Sequence, residues 1–146
     1  MSSVALPRPA VQPVHSRRIL VVDDRIDAAI ATALPLRENG HEVHIATNGA
    51  AALQVAAAVT PDVVVLDIGL PGHDAYAFAR RLRAMALPHR PVLMAVTGYG
   101  EALHRQLCVP AGVDLYLAKP VEPDALLELL RYLCPSPGCI RRCQQS

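Results

Sequence analysis

Short apolar runs recur along the chain, and longer stretches of mixed polar and apolar residues separate them. The four most continuous runs begin at Ile19, Val63, Val92 and Leu115. Strands of a parallel sheet that is buried on both faces have this continuous Val/Ile/Leu character. A further run alternates polar and apolar side chains, which is the pattern of a half-buried edge strand. The pattern therefore predicts strands at residues 18–23, 42–46, 62–67, 91–96 and 114–118.

Helical segments lie between the predicted strands. Their expected bounds are residues 27–39, 50–59, 75–85, a segment from Glu101 that stops short of Pro110, and 123–134. Asp27 is expected to cap the first helix, and Pro35 is expected to kink or shorten its last turn. In the third helix, Arg80, Arg81 and Arg83 are expected to face water. The alternation of strands with helices predicts an α/β fold with a doubly wound sheet.

Composition narrows the class of protein. The chain has 146 residues, of which 52% are hydrophobic and 18% charged, values that suit one globular domain. Its formal net charge of +1 provides no strong field toward nucleic acid or a membrane surface, so neither is an expected partner. The Pro- and Ser-rich start has no signal-peptide core, which favours a cytoplasmic location. We expect a flexible leader at residues 1–16, one domain at 17–134 and a flexible tail containing Cys and Pro at 135–146.

Polar side chains stand where the predicted strands end. Asp23 and Asp24 end the first strand, Asp67 the third, Thr97 the fourth and Lys119 the fifth. Ligands of parallel α/β sheets bind at the carboxyl ends of the strands, so these side chains are expected to converge on one crevice. Taken singly, each has an ordinary alternative as a cap, a turn former or a solvated lysine. Clustered carboxylates repel one another, so together they suit a cation, and oxygen ligands favour Mg²⁺ over zinc.

The strings around these residues resemble the receiver domain of bacterial two-component response regulators, over roughly residues 17–134. They stand in the family's order and spacing: Val21-Val22-Asp23-Asp24, Leu66-Asp67-Ile68-Gly69-Leu70-Pro71-Gly72, Thr97-Gly98-Tyr99-Gly100 and Lys119-Pro120. The likeness is nearest to receivers of hybrid sensor histidine kinases. It implies a flavodoxin-like fold, in which a five-stranded parallel sheet has the strand order 2-1-3-4-5 and helices cover both faces.

The resemblance also implies a phosphoryl-acceptor site with Mg²⁺ as its cofactor. Asp67 is expected to be the nucleophile that takes a phosphoryl group from a phosphohistidine. Asp24, Asp67 and the backbone carbonyl of Gly69 are expected to ligate Mg²⁺ directly, and Asp23 is expected to act through water. Catalysis in such a site is mostly positioning and charge stabilisation.

Lys119 and Thr97 are expected to hold the phosphoryl group, the first by charge and the second by a hydrogen bond from its hydroxyl. Lys119-Pro120 resembles the family's cis peptide. Tyr116 matches the family's aromatic switch position, where movement of Thr97 is coupled to the rotamer of the ring. The alternative for Tyr116 is a half-buried strand tyrosine with its hydroxyl in water.

Five residues depart from the family's pattern: Arg25, Pro35, His73, Ala75 and Pro110. Arg25 follows the acidic pair, where its guanidinium could reach the phosphoryl group or lie in solvent. Ala75 stands where glycine is common and cannot adopt a positive φ cheaply, so the turn after the third strand is expected to differ. Pro35 lies in the first helix, which is a usual docking surface for kinases and phosphotransfer proteins in this family, and so bears on partner affinity.

The implied role is phosphorelay signalling, with no enzymatic activity beyond the domain's own phosphorylation and dephosphorylation. The expected partners are a sensor histidine kinase or histidine phosphotransfer protein and a downstream protein that contacts the fourth helix, the fifth strand and the fifth helix. No output domain is expected to be attached. Two alternatives stay open. One is an acid-nucleophile phosphatase, although Gly69 stands where that chemistry wants a second acid; the other is a degenerate receiver that acts as a phosphorylation-independent adaptor.

Overall fold

Alternating strands and helices make up the described part of the chain. The computed structural model describes residues 16–68, 73–97 and 112–132. In chain order the elements are β1 (Arg18–Val22), α1 (Ile26–Glu38), β2 (Glu42–Ala46), α2 (Gly49–Val59), β3 (Val63–Ile68), α3 (His73–Ala84), β4 (Val92–Thr97), β5 (Leu115–Ala118) and α4 (Pro123–Tyr132). The helix predicted from Glu101, the leader up to residue 15 and the predicted tail lie outside the described residues, so these remain predictions.

The five strands form one sheet in the order β2-β1-β3-β4-β5, and every pair is parallel. This confirms the predicted fold class and strand order. Each strand lies within one residue of its predicted bounds. In a parallel sheet all strands end at one edge, and the described edge here carries the residues singled out in the sequence.

Alternate residues of the inner strands face opposite layers of helices. One layer, against α1 and α4, contains residues such as Ile19, Val65 and Met94. The other layer, against α2 and α3, contains their neighbours, such as Leu20 and Leu93. All six residues of β4 are buried. Each fully buried Val, Leu or Ile contributes about 1.5–3 kcal/mol of transfer free energy, so burial on both faces makes the inner strands a rigid support for the edge.

The first helix begins differently from its prediction. Arg25, not Asp27, is the N-cap residue, and its side chain makes no capping hydrogen bond; Asp27 lies in the first turn. The negative charge of Asp27 still suits the positive end of the helix dipole. The helix also continues through Pro35 to Glu38. Asn39 helps to satisfy this end, because its side-chain amide donates to the Pro35 carbonyl at 2.8 Å.

The third helix begins at His73, two residues before its predicted start, so Ala75 lies inside the helix and is 9% exposed. The turn that Ala75 was expected to change lies outside the described residues, so that expectation stays a prediction. The prediction for Arg83, however, is wrong. Arg83 does not face water as Arg80 and Arg81 do, because its side chain is 16% exposed and paired with Asp114.

Within the described residues, no helix combines the length and the apolar character needed to span a bilayer.

Candidate functional site

Strands β1 and β3 bring three carboxylates together. Val22 pairs with Leu66 in the parallel register, so the residues that follow them, Asp23 and Asp67, stand side by side. One oxygen each of Asp23, Asp24 and Asp67 can be chosen so that all three lie within 4.8 Å of one another. The sequence prediction that these acids converge is therefore correct.

The three acids differ in exposure. Asp23 is buried at 7% exposure, the Asp67 side chain is 12% exposed, and Asp24 is exposed. The backbone N–H of Asp23 donates to the Ala46 carbonyl at 3.1 Å, which ties the end of β1 to β2. Its carboxylate Oδ1 accepts the backbone N–H of Arg25 at 3.0 Å and so shapes the turn into α1.

The surroundings of Asp23 disfavour its ionised form. Burial raises the pKa of its carboxyl above 3.8, and the neighbouring Asp67 raises the pKa further. The Arg25 N–H and Lys119 act in the opposite direction but do not cancel these effects. A raised pKa means that the ionised form is disfavoured, so a cation placed among the acids would relieve both the burial and the repulsion.

Lys119 reaches the same cluster from β5. Its ammonium nitrogen lies 2.7 Å from Asp67 Oδ1, and its side chain remains 45% exposed. Its backbone N–H donates to the Thr97 carbonyl at 2.7 Å, which extends the β4–β5 ladder by one residue. The peptide bond between Lys119 and Pro120 is cis, as the resemblance implied.

Asp67 Oδ1 has a charge partner but no directed hydrogen bond. The atom is sealed from solvent and accepts no hydrogen bond of acceptable geometry from the described residues, although Lys119 Nζ is close to it. A buried carboxylate oxygen left in this state is costly, and a metal ion would satisfy it. The donor set is all oxygen, which suits a hard cation such as Mg²⁺. Gly69, the predicted carbonyl ligand, lies outside the described residues.

Thr97 and Tyr116 occupy the same face of the sheet. Thr97 is fully buried at the end of β4 and pairs in register with Ala118. Tyr116 pairs with Ala95, two residues earlier, and packs partly buried against the layer formed with α2 and α3. Because side chains alternate along a strand, Thr97 and Tyr116 point to the same side.

Sequence reasoning missed two features near the site. The first is a stripe of exposed apolar side chains on α1, formed by Ile26, Ile30 and Leu34, whose four-residue spacing is a readable signal. The second is a cleft of about 430 Å³ between α1 and the start of α4, whose walls include Asp23, Asp67 and Lys119. The cleft therefore opens into the acid cluster.

Known proteins share both the sequence and the fold. A family model described as the response regulator receiver domain matches residues 19–131. The transcriptional regulatory protein TcrA of Mycobacterium tuberculosis is 37% identical over 127 residues, which is 87% of this chain and 49% of that protein. The chain therefore spans about half the length of TcrA.

Two solved structures extend the comparison. Chemotaxis protein CheY4 of Vibrio cholerae matches with a TM-score of 0.74 at 25% identity, covering 82% of this chain and 99% of that one. The receiver domain of the sensor histidine kinase PA1611 from Pseudomonas aeruginosa, with a magnesium ion in its active site cleft, matches with a TM-score of 0.70 at 29% identity. This match covers 80% of this chain and 95% of that one. The narrower likeness to hybrid kinases stays a prediction, but the family model covers most of the chain, and the chain belongs to the response regulator receiver domains of two-component systems.

Proposed function

We propose that this chain transmits signals by accepting a phosphoryl group from a phosphohistidine onto Asp67, within a receiver domain that spans residues 17–134. The observation that carries the proposal is the contact of 2.7 Å between Lys119 Nζ and Asp67 Oδ1 inside a cluster of three acids. The ammonium lies beside the carboxylate that would carry the phosphoryl group, so it is placed to neutralise charge on the phosphoryl oxygens.

The transfer needs little covalent chemistry from the protein. A carboxylate oxygen of Asp67 attacks the phosphorus, the P–N bond of the phosphohistidine breaks, and its electron pair stays on the imidazole nitrogen. Negative charge on the phosphoryl oxygens then lies next to the Lys119 ammonium, and the Thr97 hydroxyl donates a hydrogen bond to one of them.

Asp24 and Asp67 would hold Mg²⁺ directly, together with the Gly69 carbonyl, while Asp23 would orient bound water. When bound, the ion neutralises the acids and the incoming phosphoryl oxygens. The protein's own part is to hold three carboxylates of different exposure within reach of one ion.

The experiment is phosphorylation by acetyl phosphate, followed by intact-protein mass spectrometry. Wild type should gain one phosphoryl group in the presence of Mg²⁺ and none in the presence of EDTA. Asp67→Asn should gain none, and the matched surface variant Asp27→Asn should behave as wild type. Equal modification of Asp67→Asn and wild type would reject the site. An unmodified wild type that still binds partners would favour the adaptor alternative.

We infer that the α1 stripe and the adjoining cleft receive the helix that carries the phosphohistidine. Ile26, Ile30 and Leu34 are 50%, 42% and 48% exposed, and together they form one apolar line on α1. The helix begins three residues after Asp23, so a partner helix lying along this line brings its histidine to the acid cluster. Small side chains on α1, among them Ala28 and Ala31, leave the cleft open for a partner side chain.

The docking proposal predicts that a change on α1 slows phosphorylation by a protein donor but not by a small-molecule donor. Ile30→Glu should slow phosphotransfer from whichever histidine kinase in a panel phosphorylates wild type fastest, because a charge interrupts the apolar line. It should not slow phosphorylation by acetyl phosphate, which needs no protein contact. Ala57→Glu, an exposed site on α2, is the matched control. Equal rates from the kinase for Ile30→Glu and wild type would place the docking surface elsewhere.

A further inference from the structure

Lys119 is carried by the strand that has the least support in the sheet. β5 has four residues, lies at the edge of the sheet and, among the described strands, pairs only with β4. Its first three residues are only half-buried and its last is exposed, whereas β4 is buried throughout. Among the described residues, packing therefore constrains the position of β5 less than that of β1 or β3. Hydrogen bonds at the two ends of β5 contribute more to its position.

A partly buried arginine at the other end of the strand supplies such hydrogen bonds. Arg83, at the end of α3, donates from Nε to the Gly112 carbonyl at 2.8 Å and from Nη1 to the Pro91 carbonyl at 2.7 Å. Its third donor, Nη2, reaches Asp114 Oδ2 at 2.6 Å. One guanidinium thus joins α3 to the residues that lead into β4 and into β5. The planar fork of arginine is suited to holding several acceptors in a fixed arrangement.

Asp114 completes the junction, because it binds β4 by both its backbone and its side chain. Its backbone N–H donates to the Leu93 carbonyl at 2.9 Å, and its Oδ2 accepts the Leu93 N–H at 2.9 Å. Its other oxygen accepts from Arg90 at 2.8 Å, and the Asp114 side chain is only 4% exposed. The carboxylate is therefore surrounded by donors and fixes the first rung of the β4–β5 ladder.

Gly112 allows the close approach of Arg83. It has a φ of +91°, a conformation that favours glycine, and a Cβ at this position would lie 2.7 Å from Arg83 Cγ. The chain entering β5 is thus seated directly on the arginine stem. Arg83, Asp114 and Gly112 form one junction, which we call the β5 anchor.

We propose that Arg83 is a positioning residue for Lys119, acting through the β5 anchor. The inference rests on the proposed function of Asp67 and Lys119. Between the anchor and Lys119 lies one short strand, whose ladder begins at the Asp114 N–H and ends with the Lys119 N–H on the Thr97 carbonyl. Because an edge strand held on one side can shift along its neighbour, loosening the first rung displaces the last.

Loss of the β5 anchor should not change the positions of the three acids. Asp23 and Asp24 follow β1, and Asp67 lies in β3, whereas the hydrogen bonds described for the anchor join α3 to β5 and to the residues at the start of β4. Loss of the anchor should therefore move the ammonium away from Asp67 while leaving the metal ligands in place. That difference separates a positioning role from a general loss of stability, which would disturb both.

The test compares Arg83→Gln with Arg81→Gln, an exposed arginine on the same helix. Arg83→Gln should be phosphorylated by acetyl phosphate roughly tenfold more slowly at saturating Mg²⁺, because small misplacements of a charge-stabilising group are costly to rate. Its Mg²⁺ affinity, measured by titration calorimetry, should equal that of wild type. Arg83→Lys should recover part of the rate, and Arg90→Gln, which removes only the outer contact of Asp114, should lose less than Arg83→Gln.

A double variant tests whether Arg83 acts through Lys119. In the Lys119→Ala background, adding Arg83→Gln should cause no further loss of rate, because the residue being positioned is gone. An independent additional loss there, or an unchanged rate in the single variant, would overturn the proposal. A parallel fall of rate and Mg²⁺ affinity in both Arg83→Gln and Arg90→Gln would also overturn it. Failure of the proposed function looks different, since wild type itself would then not be phosphorylated.

Discussion

Lys119 Nζ lies 2.7 Å from Asp67 Oδ1, and the two side chains approach each other from different depths, with Lys119 45% exposed and Asp67 only 12%. The carboxylate is fixed within β3, while the lysine reaches inward from the sheet edge. An ion pair of this kind is both an attraction and a competition, because the ammonium occupies an oxygen that a metal or a phosphoryl group would also approach.

Removing the ammonium should therefore have opposite effects on binding and on reaction. In Lys119→Ala, Mg²⁺ should bind at least as tightly as in wild type, because a competing cation has gone. The rate of phosphorylation by acetyl phosphate should fall roughly 100-fold, since the charge that stabilises the transferring group is lost. Calorimetric titration and the time course of mass change measure the two effects. If Mg²⁺ affinity fell together with the rate, Lys119 would be supporting the fold of the site instead.

Variants of the acids and variants of Thr97 should differ in the same two measurements, Mg²⁺ affinity and phosphorylation. Asp24→Ala removes a proposed direct ligand and should weaken Mg²⁺ binding and abolish phosphorylation. Thr97→Ser keeps a hydroxyl at the end of β4 and should leave Mg²⁺ binding intact, because Thr97 is not a proposed metal ligand. Thr97→Val keeps the buried volume but removes the hydroxyl, so it should bind Mg²⁺ normally and hold the phosphoryl group less well. Equal loss of Mg²⁺ affinity in Asp24→Ala and Thr97→Val would mean that the ligand set is wrong.

Much of this site could be predicted because strand ends are predictable. Continuous Val and Leu runs mark buried parallel strands, and parallel strands end at one edge, so Asp23, Asp67 and Lys119 had to converge if the strand assignment was right. The one-residue shifts at strand ends did not matter. They change which residue begins a strand but not the edge at which it ends.

Arg83 could not be predicted in the same way, although its position carried a signal. It lies four residues after Ala79 and seven after Tyr76, both buried, so helical spacing places it on the core face of α3. Its charge argued for solvent, and only a carboxylate and two carbonyls from distant segments make burial acceptable. Burial lowers the pKa of its guanidinium, and Asp114 counters that effect. Such partners are visible only once the chain is folded.

Stability should depend on the protonation of His41. Burial, and next to it the positive charge of Arg17, lower the pKa of His41 below 6.5, and its Nδ1 accepts the Arg17 backbone N–H at 3.1 Å. Because the unfolded chain takes up the proton first, this stabilisation is complete above pH 6.5 and is lost as the pH falls below that value. The ring is partly exposed, so solvent screening keeps the effect below about 1 kcal/mol.

Urea unfolding at pH 7.5 and at pH values stepped below 6.5 measures this effect. His41→Gln retains an acceptor but does not titrate, so the difference in unfolding free energy between wild type and this variant should shrink as the pH falls. His44→Gln is the control, because the His44 side chain contacts the Glu42 side chain at 2.7 Å, whereas the His41 side chain accepts a backbone N–H. If the difference in unfolding free energy between wild type and His41→Gln does not vary with pH, His41 does not contribute to the pH dependence of stability.

The route by which the signal leaves the domain gives the last prediction. Thr97 and Tyr116 share one face of the sheet on neighbouring strands, so inward movement of Thr97 toward a phosphoryl group on Asp67 should change the space available to the ring. A ligand shifts a two-state equilibrium only by its differential affinity, so the phosphoryl group must favour the inward state. Rotation of Tyr116 would then alter the surface formed by β5, α4 and the helix predicted from Glu101, where we propose that a downstream protein binds.

Beryllium fluoride, a phosphoryl analogue, should shift the NMR signals of α4 in wild type and in the exposed-tyrosine control Tyr132→Ala. In Tyr116→Ala the analogue should still bind, with signal changes near Asp67, but the changes in α4 should disappear. Wild-type shifts in α4 of Tyr116→Ala would make this tyrosine a packing residue, and the coupling would have to run through another side chain.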